Sequence, residues 1–480
     1  MNLKTKLITI VLPALIFGLA LFYASYHLTE SPPTWMDEGE IIQLAKNWVL
    51  TGQPQFQFTP GQFLSASFIS TGFPVTAPIA GAFYLFGQSL WSARLVMVIY
   101  LLAFLALAYY LARQRFGPLL ANWSLALLAF FPPLYGSGKN VLGEIPGTFW
   151  LLVSVVFAYR LETKWSRGAE IKWWEYSALG LGVGLCLATK PFFLPFLLPF
   201  GLWLSYLSYR HPTARGARTL ALILGPLLAT LVLWLLTQFR GDSLWFILTY
   251  YANPHGTNLG VSIIDNLKLI FSSAQTLYFL GLLALWSLGL VFVFKRREQK
   301  ATELMLWFFA GLVTLAYLRN PAYYRYFLVP ELLALLYLPV SLERLPLKKY
   351  FRLASTLLLS ALILVQFYQL NFTAWVVRYY GSNRSAVAQA RLAQLNPQDS
   401  VLLDTAPELV IFLPHTNYYQ YLGGTKAWQP LGEREKFVAP LKPNLVIMSR
   451  GLWESVAFSS YPAYAPVEYF SSYLIAKRLK

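Results

Sequence analysis

Cysteine is nearly absent from the chain. The single one, Cys186, sits inside an apolar run, so neither a disulfide nor a cysteine metal site is available. Charge is scarce as well: Asp, Glu, Lys and Arg make up 12% of the 480 residues, about half the share of a soluble globular chain. Acidic residues are the scarcer sign, 21 against 38 basic, for a formal charge of +17. Internal repeats and low-complexity stretches are also missing. A soluble protein with so few charges would expose large apolar patches and aggregate. A bilayer removes that problem, because lipid tails are the solvent of the outer face. The basic excess does not indicate nucleic acid, because the Lys and Arg residues sit between apolar runs, where they set membrane orientation.

What is abundant is hydrophobic sequence, 57% of the residues. A spanning helix needs roughly 20 mostly apolar residues. Eleven runs qualify, at about 7–25, 89–111, 119–137, 144–160, 175–189, 191–208, 219–238, 275–294, 302–318, 324–342 and 353–371. The first, preceded by Lys4 and Lys6, reads either as an uncleaved helix or as a signal peptide. Its long core favours the helix. With the N-terminus in the cytosol, nineteen Lys and Arg fall on inside segments and eight on outside connections before residue 372. That is the positive-inside bias, and it supports both the count and the orientation. The expected fold is an α-helical polytopic membrane protein of about 11 transmembrane helices, N-terminus in and C-terminus out. Residues 1–371 form its membrane domain, with outer loops at 26–88 and 239–274. Residues 372–480 read as a small extracytoplasmic α/β domain. Val401-Leu402-Leu403 and Leu445-Val446-Ile447-Met448 are its buried strands, after a helix-like stretch from Arg384 to Leu395.

The chemistry-bearing residues gather at outer helix ends. Trp35-Met36-Asp37-Glu38-Gly39-Glu40 opens a helix that Thr34 caps and Gly52 ends. Asp37 and Glu38 either favour the positive end of that helix or include a base, Asp37, able to accept a hydroxyl proton at the membrane surface. Glu144, on the short outer connection before the fourth span, reads first as a helix-start acid ahead of Pro146. Alternatively it pairs with Asp37, dividing roles or holding a divalent metal ion. Arg94, Lys190, Arg319 and Arg325 are outer-edge cations, against the orientation bias, and Tyr324 adjoins Arg325. Such cations either snorkel to headgroups or grip a phosphate arriving from the bilayer. The second reading is favoured for Lys190 and Arg325. His255, in the second large outer loop, is a weaker candidate for binding a sugar or metal. Glu331 lies inside a span, where an acid is a functional candidate or an arginine's partner. Trp173-Trp174-Glu175-Tyr176 resembles the Trp-Trp-Asp-Tyr-Gly motif of oligosaccharyltransferase catalytic subunits. It lies on an expected cytosolic loop, has Glu for Asp and lacks the Gly, so an interfacial anchor is the better reading.

Four motifs in order carry a family resemblance: Asp37-Glu38 after the first span, Phe83-Tyr84-Leu85-Phe86-Gly87 before Arg94, Glu144-Ile145-Pro146 opening the fourth span, and Arg325-Tyr326-Phe327-Leu328-Val329-Pro330 opening a late one. Over roughly residues 1–371 the chain resembles the GT-C glycosyltransferases that use polyprenyl-phosphate sugars, in the branch of protein O-mannosyltransferases and the lipid A aminoarabinose transferase. The resemblance implies a hexosyl or pentosyl transferase. It moves a sugar from a polyprenyl-phosphate donor to a glycan, lipid or protein acceptor outside the membrane. It further implies Asp37 as catalytic base, Glu144 as a residue that shapes the site and is a candidate metal contact, and Lys190 and Arg325 as holders of the carrier phosphate. The histidine-rich sugar-binding motifs and inserted MIR-type domain of eukaryotic O-mannosyltransferases are missing, which argues against carrying over their mannose donor and protein acceptor. Direct displacement at the anomeric carbon would invert its configuration. The expected location is a bacterial or archaeal plasma membrane. The competing readings are a lipid or sugar transporter, which would place its groups near the midplane, and a membrane scaffold.

Overall fold

The computed structural model describes residues 7–211, 216–239, 259–295, 301–317, 324–346, 349–423 and 433–479, together with Trp245 and Thr249. All eleven apolar runs are helical over most of their described residues. In chain order the helices are α1 (Leu12–Ser25), α2 (Met36–Thr51), α3 (Phe73–Phe86), α4 (Leu90–Phe116), α5 (Pro118–Ala129), α6 (Pro132–Gly138), α7 (Glu144–Ser166), α8 (Trp173–Thr189), α9 (Leu197–Arg210), α10 (Ala217–Gln238), α11 (Leu259–Ser272), α12 (Ala274–Lys295), α13 (Ala301–Tyr317), α14 (Leu328–Arg344) and α15 (Lys349–Tyr368). Among the described residues, seven helices are long and apolar enough to cross a membrane. The pair α5 and α6, bent by 56°, makes an eighth when read as one broken span. Pro132 and Pro133 explain the break, since neither has an N–H to continue the helical ladder. The Tyr135 hydroxyl donates to the Ala129 carbonyl across it at 2.6 Å.

The helix α14 is the axis of the bundle: of the span Tyr324–Arg344, 89% of the apolar window is buried. Two polar stitches sit at its C-terminal end. Arg344 grips both oxygens of Glu303 at 2.6 and 2.8 Å. Glu162 on α7 accepts from the backbone N–H groups of Ala301 and Thr302, both at 3.1 Å, and so caps the start of α13. Elsewhere α8 approaches α10 closely enough that Gly180 and Gly184 leave no room for a Cβ against Ile223 and Thr230. Small residues spaced by four let membrane helices touch backbone to backbone in this way.

Beyond the last span the chain forms α16 (Arg384–Leu392), α17 (Arg434–Leu441), α18 (Arg450–Ser460) and a five-stranded sheet. The segment between α2 and α3 holds the hairpin β1 (Phe56–Thr59) and β2 (Gln62–Leu64). The sheet contains β3 (Val401–Asp404), β4 (Tyr418–Tyr421), β5 (Leu445–Ser449), β6 (Tyr464–Phe470) and β7 (Tyr473–Arg478) in the order β4-β3-β5-β7-β6. The first three run parallel and the last two join antiparallel.

This sheet does not stand apart from the membrane domain. Ile41, Ile42, Leu44 and Ala45 of α2 share one hydrophobic core with Val401, Leu403, Ala406, Leu409 and Leu422 of the tail. Polar bonds fix the register of that contact. Gln57 donates to the Thr416 and Tyr418 carbonyls at 2.9 and 3.1 Å, and Gln420 returns a bond to the Gln57 carbonyl at 2.6 Å. Gln43 reaches the Tyr418 hydroxyl at 3.0 Å, and buried Lys46 reaches the Val410 carbonyl at 3.0 Å. Gly39 is the closest approach, where a Cβ would collide with the backbone of Pro407 and Glu408. A Gly39→Ala substitution is therefore expected to lower stability by about 1–3 kcal/mol, the usual cost of overpacking. Thermal unfolding in detergent, with limited proteolysis to detect an undocked tail, checks this. An unchanged melting point would mean the contact is not tight.

Candidate active site

The helix α2 begins directly above the bundle. Its N-cap is Trp35, in extended conformation and with no side-chain cap bond. Thr34 therefore does not cap the helix as expected, whereas Gly52 ends it as expected, in the left-handed conformation at φ 76°. Asp37 and Glu38 occupy the first turn and separate at once into two environments.

Glu38 is fully buried beside fully buried Arg94 of α4. Arg94 Nε donates to Glu38 Oε1 at 2.8 Å and Nη2 to Oε2 at 2.7 Å. Nη1 donates to the Leu28 and Pro32 carbonyls at 2.7 and 2.8 Å, and Nη2 also reaches Asn140 Oδ1 at 2.9 Å. Glu38 Oε1 accepts a further bond from the Val141 N–H at 3.1 Å. A guanidinium has five N–H donors, and all five are used here. Arg94 therefore has no donor left for a phosphate, and Glu38 has no face open to a substrate. Both were expected in the site from the sequence. Their place is beneath it, where they pin the segment after α1 and the start of α2 to the α6–α7 connection.

Asp37 instead lies at the surface of the cluster, partly exposed, with its Oδ2 2.7 Å from Arg325 Nη1. The Arg325 guanidinium stacks over the Trp35 ring at 4.6 Å and lies 5.5 Å from the Tyr326 ring. Glu144, at the start of α7, is buried and accepts from Lys190 Nζ at 2.6 Å. Its second oxygen, Oε2, has no hydrogen-bond partner among the described residues. Arg325 and Glu144 are within electrostatic reach of each other, so the four groups run Asp37, Arg325, Glu144, Lys190 with alternating sign. They come from four separate connections of the chain. Lys190 is the C-cap of α8, and the Gly72 N–H bonds to the adjoining Thr189 carbonyl at 3.0 Å, tying α3 to the same corner.

Tyr324 does not face this cluster with its hydroxyl, which donates to both oxygens of Glu331 at 2.8 and 2.7 Å. Arg319 and His255 lie outside the described residues. Among the described residues no group of three or more His, Cys, Asp or Glu side chains is arranged to hold a metal ion. Asp37 and Glu144 are each already neutralised by a cation, so among the described residues these carboxylates do not fit a divalent metal.

Three polar residues near the site carry no local sequence signal. Glu40 lies one turn beyond Asp37, and burial, then Asp37 and Glu408, holds its carboxyl well above the usual range. Glu408, from the tail, is buried and accepts from the Tyr473 hydroxyl, and burial pushes its carboxyl up to about 7. Lys139 donates to the Tyr26 carbonyl at 2.6 Å, and burial next to Arg94 lowers its ammonium to about 7. Only a hydrophobic tail docking onto α2 brings residues 40 and 408 together, and no local pattern encodes that.

The sequence profile of the family described as dolichyl-phosphate-mannose-protein mannosyltransferase matches residues 74–237. No curated protein matches the chain. Among solved structures, ArnT from Cupriavidus metallidurans bound to undecaprenyl phosphate superposes with a TM-score of 0.67 at 14% identity, covering 97% of each chain. The oligosaccharyltransferase of Archaeoglobus fulgidus in its apo form gives 0.58 at 11% identity, covering 98% of this chain and 75% of its own. The chain has the GT-C fold. The resemblance drawn from the four motifs is thus borne out, as is a membrane-helical body with a small sheet domain at its C-terminus. Within the GT-C fold, the Trp173-Trp174 pair is exposed at the start of α8, as an interfacial anchor requires.

Two predictions follow from the buried charges. Arg94→Leu alone strands a buried carboxylate and is expected to cost about 3–5 kcal/mol, whereas the Arg94→Leu, Glu38→Leu double variant is expected to recover much of that loss. Thermal unfolding of the two variants decides it, and an equally unstable double variant would contradict the pairing. For Glu408 the folded pKa of about 7 lies above the unfolded value of 4.5. Its contribution to stability is thus complete below pH 4.5 and is lost as pH rises through 7. Melting points of wild type against Glu408→Gln across pH 5–8 should diverge, with the variant flatter; parallel curves would remove Glu408 from the pH response.

Proposed function

We propose that the protein transfers a sugar from a polyprenyl-phosphate carrier to an acceptor hydroxyl at the outer surface of the membrane, with inversion. The observation that carries this reading is the alternating cluster Asp37, Arg325, Glu144 and Lys190. It offers two fixed cations to a lipid phosphate and a carboxylate beside them to an acceptor. The fold supports it, because ArnT of the same fold binds undecaprenyl phosphate. The outer side follows from the Lys and Arg bias of the connections, and the site sits at helix ends on the side opposite the basic loops.

Arg325 and Lys190 are neutralised by Asp37 and Glu144. An arriving carrier phosphate competes for both cations through charge-assisted hydrogen bonds. Arg325 turning to the phosphate releases Asp37 from its ion pair and leaves it free to accept a proton. The acceptor oxygen then attacks the anomeric carbon while its proton passes to Asp37. The bond from that carbon to the phosphate oxygen breaks on the opposite face, and polyprenyl phosphate leaves with the bonding electrons. Negative charge grows on that leaving phosphate, where Arg325 and Lys190 are already placed to stabilise it. Glu38 and Arg94 take no part in bond making and instead hold the helix that presents Asp37.

Transfer of radiolabelled sugar from a panel of polyprenyl-phosphate donors to membrane acceptors tests the reading. Asp37→Asn is expected to lower turnover by about 10²–10⁴-fold, the range for a lost general base. It should leave undecaprenyl phosphate binding equal or tighter, because Arg325 loses its competing partner. Lys190→Ala is expected to weaken that binding. Full turnover in Asp37→Asn would sink the assignment of the base.

A further inference from the structure

The transfer reading uses Arg325 but does not account for Glu331. This residue is fully buried in α14, and among the described residues no cation forms an ion pair with it. A lone buried acid costs several kcal/mol unless its oxygens are satisfied, and an apolar side chain of the same size would fill the space without that cost. The satisfying group is a single hydroxyl, that of Tyr324, which meets both carboxylate oxygens at 2.8 and 2.7 Å. Tyr324 is the residue immediately before Arg325. Both lie in the short 3-10 turn Tyr324–Phe327 that leads into α14.

A 3-10 turn of four residues has little intrinsic stability, so what surrounds it must fix its geometry. Phe327 anchors its far end in a small core with Phe279 and Ile270, its ring 4.9 Å from that of Phe279. The near end has the Tyr324–Glu331 bond, which ties the turn back onto the helix that follows. Tyr278 on α12 lies within electrostatic reach of Glu331, and its hydroxyl accepts from Gln366 of α15 at 3.2 Å. The Tyr324–Glu331 bond thus ends one residue from the guanidinium facing Asp37. An arginine must be held within about half an ångström of its working position to stabilise a transition-state charge.

We infer that Glu331 and Tyr324 form a buried strut that positions Arg325 for the carrier phosphate. They are positioning residues, and this inference rests on the transfer reading of Arg325. Tyr324 therefore acts through Arg325 and not by touching substrate. The carboxylate is needed as a hydrogen-bond acceptor, and a glutamine oxygen serves the same purpose.

Two measurements on the full chain in lipid nanodiscs test the strut. The first is binding of undecaprenyl phosphate. Glu331→Leu and Tyr324→Phe are each expected to weaken it about tenfold, the effect of one lost hydrogen bond near a charge. The double variant should be no worse than either single one, because both remove the same bond. Glu331→Gln should bind within about twofold of wild type, since its amide oxygen accepts the same hydrogen. The second is hydrogen exchange of the segment Tyr324–Phe327 without ligand, expected to quicken in Glu331→Leu and Tyr324→Phe but not in Glu331→Gln. Tyr324→Phe removes one oxygen only, so it keeps the test open if Glu331→Leu does not fold. Unchanged binding and exchange in Tyr324→Phe would overturn the strut, as would a Glu331→Gln variant as impaired as Glu331→Leu. Wild-type protein that binds no undecaprenyl phosphate would overturn the transfer reading instead, and the exchange comparison would still decide whether the strut exists.

Discussion

The buried pair of Glu38 and Arg94 is the contact on which the region around α2 depends. A guanidinium fully removed from water is tolerable only when every donor is satisfied, and Arg94 meets that condition with one carboxylate, one amide and two backbone carbonyls. The partners come from the chain just after α1, from the start of α2 and from the connection before α7. Joining these segments fixes where α2 begins, and therefore where Asp37 points. Adjacent acids in one sequence motif thus do different work. One is locked in the protein interior, and its neighbour is left at the surface beside Arg325.

The same rule of local neutrality governs the site itself. At the membrane edge the effective dielectric is lower than in water, so unpaired charges are costly. Asp37 with Arg325 and Glu144 with Lys190 solve that problem in the resting protein. Under the transfer reading proposed above, each pair can be opened by a ligand carrying its own negative charge.

The C-terminal sheet domain adds a third constraint. Its strands β3 and β4 and the turn following β3 cover α2 through apolar side chains and a set of glutamine–backbone bonds. The Gly39 contact lets backbone meet backbone there. The domain consequently brings Glu408, from a remote part of the chain, close to Glu40, one turn beyond Asp37.

Much of this was legible in sequence. Apolar runs of the right length specify helices because a backbone in lipid must satisfy its own hydrogen bonds. The acids and cations at the helix ends stood out because charge is scarce, and Asp37, Glu144, Lys190 and Arg325 do converge. Arg94 and Glu38 were visible as charged residues but not as partners, since their pairing spans 56 positions and leaves no periodic trace. The docking of the tail, the proximity of Glu408 and the anchoring of Tyr324 by Glu331 were illegible for the same reason. Hydropathy and local spacing determine which segments enter the membrane and which residues wait at its surface. Only the packing of those segments decides which charge meets which, because Coulombic and hydrogen-bond energies depend on distance in space and not along the chain.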